Sequence, residues 1–227
     1  MAKQRWSALS GIVFVVLMLT GAYFVTDVPA GDASAQEIAG YLDDSANHTR
    51  NVVGAYIWVV GGLAFLAFVT GLRAVLRRAE GDPGMLSSLA FGAGIVFTAV
   101  WSVSATALAT VAYSVKFADA PVSDPDIVRV LPQVGSLLLL LGGGFAGIVV
   151  VLATATLIYR TGVLPRWLAW FGILVAIGLV FPVAYMNILP FVAWVLVASI
   201  ALLRRQEESA TAAAPERQYD APVTARR

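Results

Sequence analysis

Charged residues are missing from five long stretches of this chain, and this distribution constrains its fold more than any other feature. The 15 Lys and Arg and the 14 Asp and Glu all fall between or outside these stretches. A charge at the centre of a membrane helix costs about 2.5–3.5 kcal/mol on insertion scales, so long uncharged stretches mark chain that lies in lipid. The stretches are Trp6–Thr26, Asn51–Leu72, Pro83–Val115, Val130–Tyr159 and Trp167–Leu203. They predict a polytopic integral membrane protein.

The last stretch is long enough for two membrane helices, which raises the predicted count to six. A span needs about 20 apolar residues, and Pro182 and Pro190 interrupt the last stretch, because proline disfavours a continuous helix. We therefore predict an all-α fold, a six-transmembrane-helix bundle within residues 1–203 that ends in a helical hairpin. Residues 204–227 lack apolar periodicity and are predicted to be a disordered cytoplasmic tail. The predicted spans are about 6–26, 52–73, 86–110, 134–159, 167–183 and 187–203.

The basic residues predict which way the helices run. If both termini are cytoplasmic, twelve of the 15 Lys and Arg lie on the cytoplasmic side, and only Arg50, Lys116 and Arg129 lie outside. Cytoplasmic loops of membrane proteins carry such an excess of basic residues. The Arg204-Arg205 pair favours six spans over five, because a single long fifth span would place that pair outside.

The first span has an alternative interpretation as a secretory signal peptide. Lys3 and Arg5 form a basic start, and Val28-Pro29-Ala30 resembles a small-residue cleavage site. The apolar run between them is longer than the usual 7–15 residues of such a segment. We therefore favour a retained membrane helix, and the orientation of the other helices is the same in either case.

Several classes of function are disfavoured by what the sequence lacks. The chain has no cysteine and a single histidine, His48, which excludes thiol chemistry, iron–sulfur clusters and cysteine-ligated zinc. A net charge of +1 gives no basic surface for nucleic acid. No predicted span holds an acid or a histidine that an intramembrane protease would need. We expect no enzyme activity, no cofactor and no resident metal.

Two acidic segments, roughly 27–50 and 116–129, are predicted to lie outside the membrane. In the first, Ser34 and Glu37 have the spacing of a capping box, which predicts the start of a short helix. Its apolar side chains share one face, so the helix either lies on the membrane surface or packs on the bundle. Asp44 and His48 are four residues apart, and a weak metal site with Asp43 and Glu37 is an alternative to an ordinary solvated loop.

Similar beginnings of several helices suggest three helical hairpins related by repetition. Gly11-Ile12-Val13-Phe14 recurs as Gly94-Ile95-Val96-Phe97, and the Arg5-Trp6 segment resembles Arg166-Trp167. Internal repeats of this kind occur in some transporters. Abundant Gly, Ile and Val, together with arginine at every cytoplasmic helix end, offer a simpler explanation, so repetition is left as an alternative.

Small and hydroxyl side chains are the candidate functional residues within the spans. Small residues four apart let membrane helices approach closely, and the candidate packing pairs are Gly143 with Gly147 and Ala90 with Gly94. Ser102, Thr106 and Thr110 share one helix face, and with Thr154 of the next span they are candidates for lining a polar cavity. Hydrogen bonds from these hydroxyls to carbonyls of their own helix are the alternative.

The order of these features resembles uncharacterised bacterial integral membrane proteins of a domain-of-unknown-function type. The resemblance rests on the outer segment from Val28 to Ile38, on Leu72-Arg73-x-x-Leu76-Arg77 and on Leu164-Pro165-Arg166-Trp167-Leu168. It implies six helices and a bacterial plasma membrane, and it carries no functional residue to this chain.

Three functions follow as hypotheses. The first is a structural or accessory protein that, besides the surrounding lipids, binds a membrane-protein partner or a second copy through glycine-rich faces and outer loops. The second is a transporter or facilitator of a neutral or apolar solute, motivated by the hydroxyl stripe. The third is an enzyme that uses the outer acids at the membrane surface.

Overall fold

A computed structural model of the chain describes residues 2–25, 28–118, 124–181 and 188–212, and every regular element in these residues is helical. Lipid offers no hydrogen-bond partners to the backbone, so helices are the expected solution for apolar segments. A π-helical segment, Leu138–Gly143, joins α5 directly to α6. The α-helices are α1 Ala2–Phe24, α2 Ala35–Asp43, α3 Ser45–Glu80, α4 Met85–Phe117, α5 Pro125–Leu137, α6 Gly144–Thr161, α7 Arg166–Val180 and α8 Ile188–Ala212.

Five of the described helices are long and apolar enough to cross a membrane, with α5 and α6 counted as one. This indicates a multi-pass membrane protein. α7 is apolar but has 15 residues, about 22 Å at 1.5 Å per residue, which is short of a bilayer core of about 30 Å. The turn expected between the last two helices lies in residues 182–187, outside the described part of the chain.

The helices continue beyond the uncharged stretches that predicted them. α3 begins at Ser45 and ends at Glu80, so it extends past both predicted limits of 52 and 73. α8 continues to Ala212, so the prediction of a disordered tail was wrong for residues 204–212, and residues 213–227 lie outside the described residues. Arg, Gln, Glu and Ala are strong helix formers, which explains why polar residues prolong the helix into water.

The centre of the bundle is filled by aromatic rings from four helices. Phe65 of α3 lies 5.1 Å from Phe14 of α1 and 4.7 Å from Phe97 of α4, between ring centroids. Phe97 lies 4.9 Å from Phe191 of α8. All four side chains are fully buried, and pairs at these distances stabilise beyond simple burial. The rings join α1, α3, α4 and α8 into one core.

Indole N–H groups add directed contacts between α1, α3 and α4. Trp58 Nε1 donates to the carbonyl of Met18 at 3.0 Å, and Trp101 Nε1 donates to the carbonyl of Trp58 at 2.7 Å. These two tryptophans therefore serve helix packing.

Arginine and glutamate fix the turn between α3 and α4. The Glu80 carboxylate accepts from the backbone N–H groups of Leu86 and Ser87 at 2.8 and 2.9 Å, so it caps the start of α4. Arg77 donates to the Gly81 carbonyl and pairs with Asp82. This end of the bundle, which also carries the α6–α7 turn and Arg204, is called the arginine end. The opposite end is called the acidic end.

Candidate functional site

The acidic end is closed by a cap, defined as residues 28–44 together with the first turns of α5. The capping box predicted for α2 is confirmed. The Ser34 N–H donates to Glu37 Oε2 at 2.6 Å, and the Glu37 N–H donates to Ser34 Oγ at 3.3 Å. Hydrogen bonds from Ser34 to the carboxylate, chiefly from its backbone N–H, lower the pKa of Glu37. Glu37 is therefore a carboxylate at neutral pH.

Apolar side chains hold α2 on the bundle. Ile38 and Tyr41 are buried with Val111 of α4 and Val128 of α5. Arg129 of α5 adds a hydrogen bond from Nε to the carbonyl of Ala33 at 3.0 Å. The one-sided burial of Ile38 and Tyr41 decides between the two predicted arrangements of this helix, and α2 packs on the bundle.

A buried polar cluster lies beneath the cap, on the first two turns of α3. Asn47, His48 and Asn51 are 4%, 1% and 1% exposed. Asn51 Nδ2 donates to the Tyr41 hydroxyl at 3.3 Å, and the Tyr41 and His48 rings meet edge to face with centroids 5.0 Å apart. Burial raises the pKa of Tyr41, and the Asn51 bond offsets part of this effect.

Two atoms of this cluster lack a hydrogen-bond partner among the described residues. They are Asn47 Oδ1 and His48 Nε2, and both are inaccessible to solvent. An unsatisfied buried polar group costs about 1–3 kcal/mol, so native structures rarely keep one without a reason. Asn51, the third polar residue of the cluster, bonds Tyr41.

A cleft of about 550 Å³ opens between α2, the start of α3 and residues 28–33. The acidic residues Asp32, Glu37 and Asp44 line it together with Asn47. Neither lysine nor arginine is among the described residues that line it. Asp44 also caps α3, since its Oδ1 accepts from the N–H groups of Ala46 and Asn47 at 3.1 and 2.9 Å. The cleft therefore presents negative charge and hydrogen-bond acceptors.

The predicted alternative of a metal site in this segment is not assembled in the described structure. Asp44 turns to the N-terminus of α3, whereas the His48 ring packs on Tyr41. Within the described ranges, no three His, Asp or Glu side chains are close enough together to hold a metal ion.

The predicted polar-cavity residues have separate environments. Ser102, Thr106 and Thr110 of α4 each donate to the carbonyl four residues earlier, at 2.8–2.9 Å. Thr106 is exposed on the outside of the bundle. Thr154 of α6 is fully buried, and its hydroxyl has no partner in the described residues. The alternative of bonding within the same helix therefore applies to the α4 stripe. Ser104, outside the stripe, instead bonds the Gly135 carbonyl across helices.

The predicted packing residues lie inside the bundle. A Cβ on Gly94 would lie 2.9 Å from Val69 of α3, and one on Gly147 would lie 3.4 Å from Phe191 of α8. Ala90 is buried, and Gly143, also buried, faces Leu139 of its own helix and Phe97. The π segment ends at Gly143 and passes directly into α6 at Gly144.

Sequence reasoning missed the buried cluster because residues 45–50 were assigned to a loop. Their spacing indicated a shared helix face, since Asn51 lies four residues after Asn47 and three after His48. Asp44, an aspartate in N-cap position, was the sequence signal that the helix starts at Ser45.

Comparison with known proteins identifies a family and no characterised relative. The family model described as "Domain of unknown function (DUF4386)" matches residues 9–206. No curated protein and no solved structure matches the chain significantly. The resemblance to uncharacterised membrane proteins of a domain-of-unknown-function type is thereby confirmed.

Proposed function

This chain belongs to the DUF4386 family, and from that premise we propose that it is a non-catalytic accessory protein that binds a membrane-protein partner at its acidic end. The partner presents a cationic group, a lysine or arginine side chain, to the cleft lined by Asp32, Glu37 and Asp44. The observation that carries this proposal is that three acidic residues line one cleft together with Asn47, whose buried Oδ1 has no hydrogen-bond partner among the described residues.

The proposed setting is a bacterial plasma membrane crossed six times, with both termini in the cytoplasm. The distribution of basic residues supports this orientation, because it places the arginine end inside and the cap outside. α7 and α8 form the last pair of crossings in this arrangement, with α7 embedded against α6 and α8. A partner would therefore meet the cap from the external face.

The cap suits partner binding better than the glycine-rich helix faces do. Gly94 and Gly147 already contact Val69 and Phe191 within the bundle, so these faces are occupied by the chain itself. The acids of the cleft are exposed at its edge, and Glu37 and Asp44 are held in place by the two helix caps. A fixed acidic surface favours a cationic partner and excludes an acidic one.

Cross-linking from the cleft tests the proposal. The chain has no cysteine, so Gly40→Cys provides a single attachment point for a benzophenone maleimide. Gly40 lines the cleft, and a Cβ there meets nothing within 4 Å. In native membranes we expect a cross-link to one polypeptide, and we expect high salt to weaken it because salt screens exposed charges.

Two double variants, each of which replaces two acidic residues, make the test specific. Glu37→Gln with Asp44→Asn removes two of the three carboxylates of the cleft and leaves Asp32, while Gln and Asn keep both caps. Asp43→Asn with Asp124→Asn is the matched control, since Asp43 lies on α2 and Asp124 caps α5, outside the cleft lining. The proposal requires loss of the cross-link in the first variant only. Cross-links only to lipid or to a second copy, or equal loss in both variants, would refute it.

The other two hypotheses have less support in the geometry. The transporter hypothesis relied on a hydroxyl-lined cavity, and the α4 hydroxyls bond their own helix while aromatic rings fill the centre. A surface enzyme would use acids of the cleft, yet Glu37 and Asp44 accept backbone N–H bonds. The hydrogen bonds from Ser34 lower the pKa of Glu37, so this carboxylate is a weak proton donor at neutral pH.

A further inference from the structure

A second pocket lies at the arginine end, far from the cap, and is independent of the proposed function. It has a volume of about 670 Å³ and lies between the α6–α7 turn and the last membrane turns of α8. Val197, Ile200 and Ala201 of α8 form an apolar wall, and Arg204 and Arg205 lie above that wall. Both arginine side chains are exposed. The pocket thus combines an apolar interior with a basic rim.

The N-terminus of α7 contributes a second source of positive potential. Pro165, the residue before this helix, has no side-chain cap for it, and Pro165 and Trp167 both line the pocket. The first N–H groups of a helix have no partner within the helix and attract anions, phosphate above all. Neither Asp nor Glu is among the described residues that line the pocket.

Tryptophan indicates that the pocket lies at the level of the lipid headgroups. Trp167 lines the pocket and is 57% exposed, and Trp170, one turn further along α7, is also exposed. Exposed indoles concentrate at the membrane–water boundary. Arg160 and Arg166 are exposed close by in the chain. Basic pockets between membrane helices at this level are suited to anionic lipid headgroups.

From this combination we propose that the pocket is a specific site for an anionic phospholipid. The phosphate lies between Arg204 and the N-terminus of α7, and Arg205 adds charge at the rim. One acyl chain lies along Val197 and Ile200, with the Trp167 indole at the depth of the glycerol. A zwitterionic lipid brings an ammonium group to the same basic rim, so it binds more weakly.

Native mass spectrometry of the full chain in detergent measures this preference directly. The probes are phosphatidylglycerol and phosphatidylcholine with identical acyl chains. An arginine near an anionic headgroup contributes about a fivefold change in affinity, so Arg204→Gln should lower phosphatidylglycerol affinity about fivefold and Arg204→Gln/Arg205→Gln about 30-fold. Arg73→Gln/Arg78→Gln is the matched control, since both residues are exposed near the same end of α3, and it should leave the affinity unchanged.

A charge-neutral variant separates a lipid site from a simple anion site. Ala201→Leu fills the apolar wall and keeps both arginines, so it should lower phosphatidylglycerol affinity without altering the charge. Inorganic phosphate should fail to compete. Equal losses in the two arginine pairs, an unaltered affinity in Ala201→Leu, or displacement of the lipid by phosphate would each overturn the proposal.

Discussion

Adding one methyl group at Gly94 tests whether small residues are there to let α4 approach α3. A Cβ at this position would lie 2.9 and 3.0 Å from the two methyl groups of Val69 and 3.1 Å from its Cβ. Rotation of the valine cannot relieve the contact, because the branch carbon itself is too close and χ1 of valine is stiff in helices. Gly94→Ala must therefore move backbone as well as side chain.

The expected cost follows from a comparison with Gly92 on the same helix. Overpacking a core by one methyl group costs about 1–3 kcal/mol, whereas alanine is favoured over glycine in a helix by about 1 kcal/mol in water. Gly92 is exposed, and a Cβ there meets nothing within 4 Å. The propensity term is common to both substitutions, so Gly94→Ala should be less stable than Gly92→Ala by about 1–3 kcal/mol.

Unfolding by a denaturing detergent, followed by circular dichroism, measures the two free energies. Val69→Ala combined with Gly94→Ala removes the clash, so the double variant should recover part of the loss as a favourable coupling. Equal unfolding free energies for Gly94→Ala and Gly92→Ala would refute the view that glycine here serves close packing.

Three further outcomes are expected. Ser104→Ala removes the cross-helix bond to the Gly135 carbonyl and should destabilise the bundle by about 0.6 kcal/mol in the same unfolding assay. Thr106→Ala removes a bond within one helix and should have little effect. Asp44→Ala should cost about 0.5–2 kcal/mol through loss of the α3 cap, and Asp44→Asn should restore most of it. The pKa of Tyr41 is raised above 10.0, so the stability that its neutral hydroxyl contributes is complete below that pH and is lost as pH rises through the folded pKa. The difference in tyrosinate absorbance between the wild type and Tyr41→Phe should show this late titration.

The membrane helices were predictable because lipid excludes charge strongly, so the segments that lie in the membrane are the segments without charged residues. The uncharged stretches located every long apolar helix, and the capping box at Ser34 located α2. The helix ends were not predictable in the same way. In α3 and α8 the polar flanks are also good helix formers, so the helices continue into water where the apolar signal has already stopped.

Side-chain roles were harder to predict because one residue type serves several purposes. The spacing of Ser102, Thr106 and Thr110 fits a polar lining and a self-bonded helix face equally well, and only their hydrogen bonds distinguish the two. The importance of Asn47 depended on a helix start that the apolar pattern did not reveal. The pocket at Arg204 forms between segments about 40 residues apart in the chain, which no local pattern reports.

Labelling of single cysteines in intact cells tests most directly whether the cap and the arginine end face different compartments. The chain has no cysteine of its own, and Ala39 on α2 and Thr161 at the end of α6 are both exposed. With a membrane-impermeant maleimide, Ala39→Cys should react in intact cells, and Thr161→Cys should react only after the membrane is permeabilised. Labelling of Thr161→Cys in intact cells, or protection of Ala39→Cys there, would contradict both the proposed orientation and an external partner site.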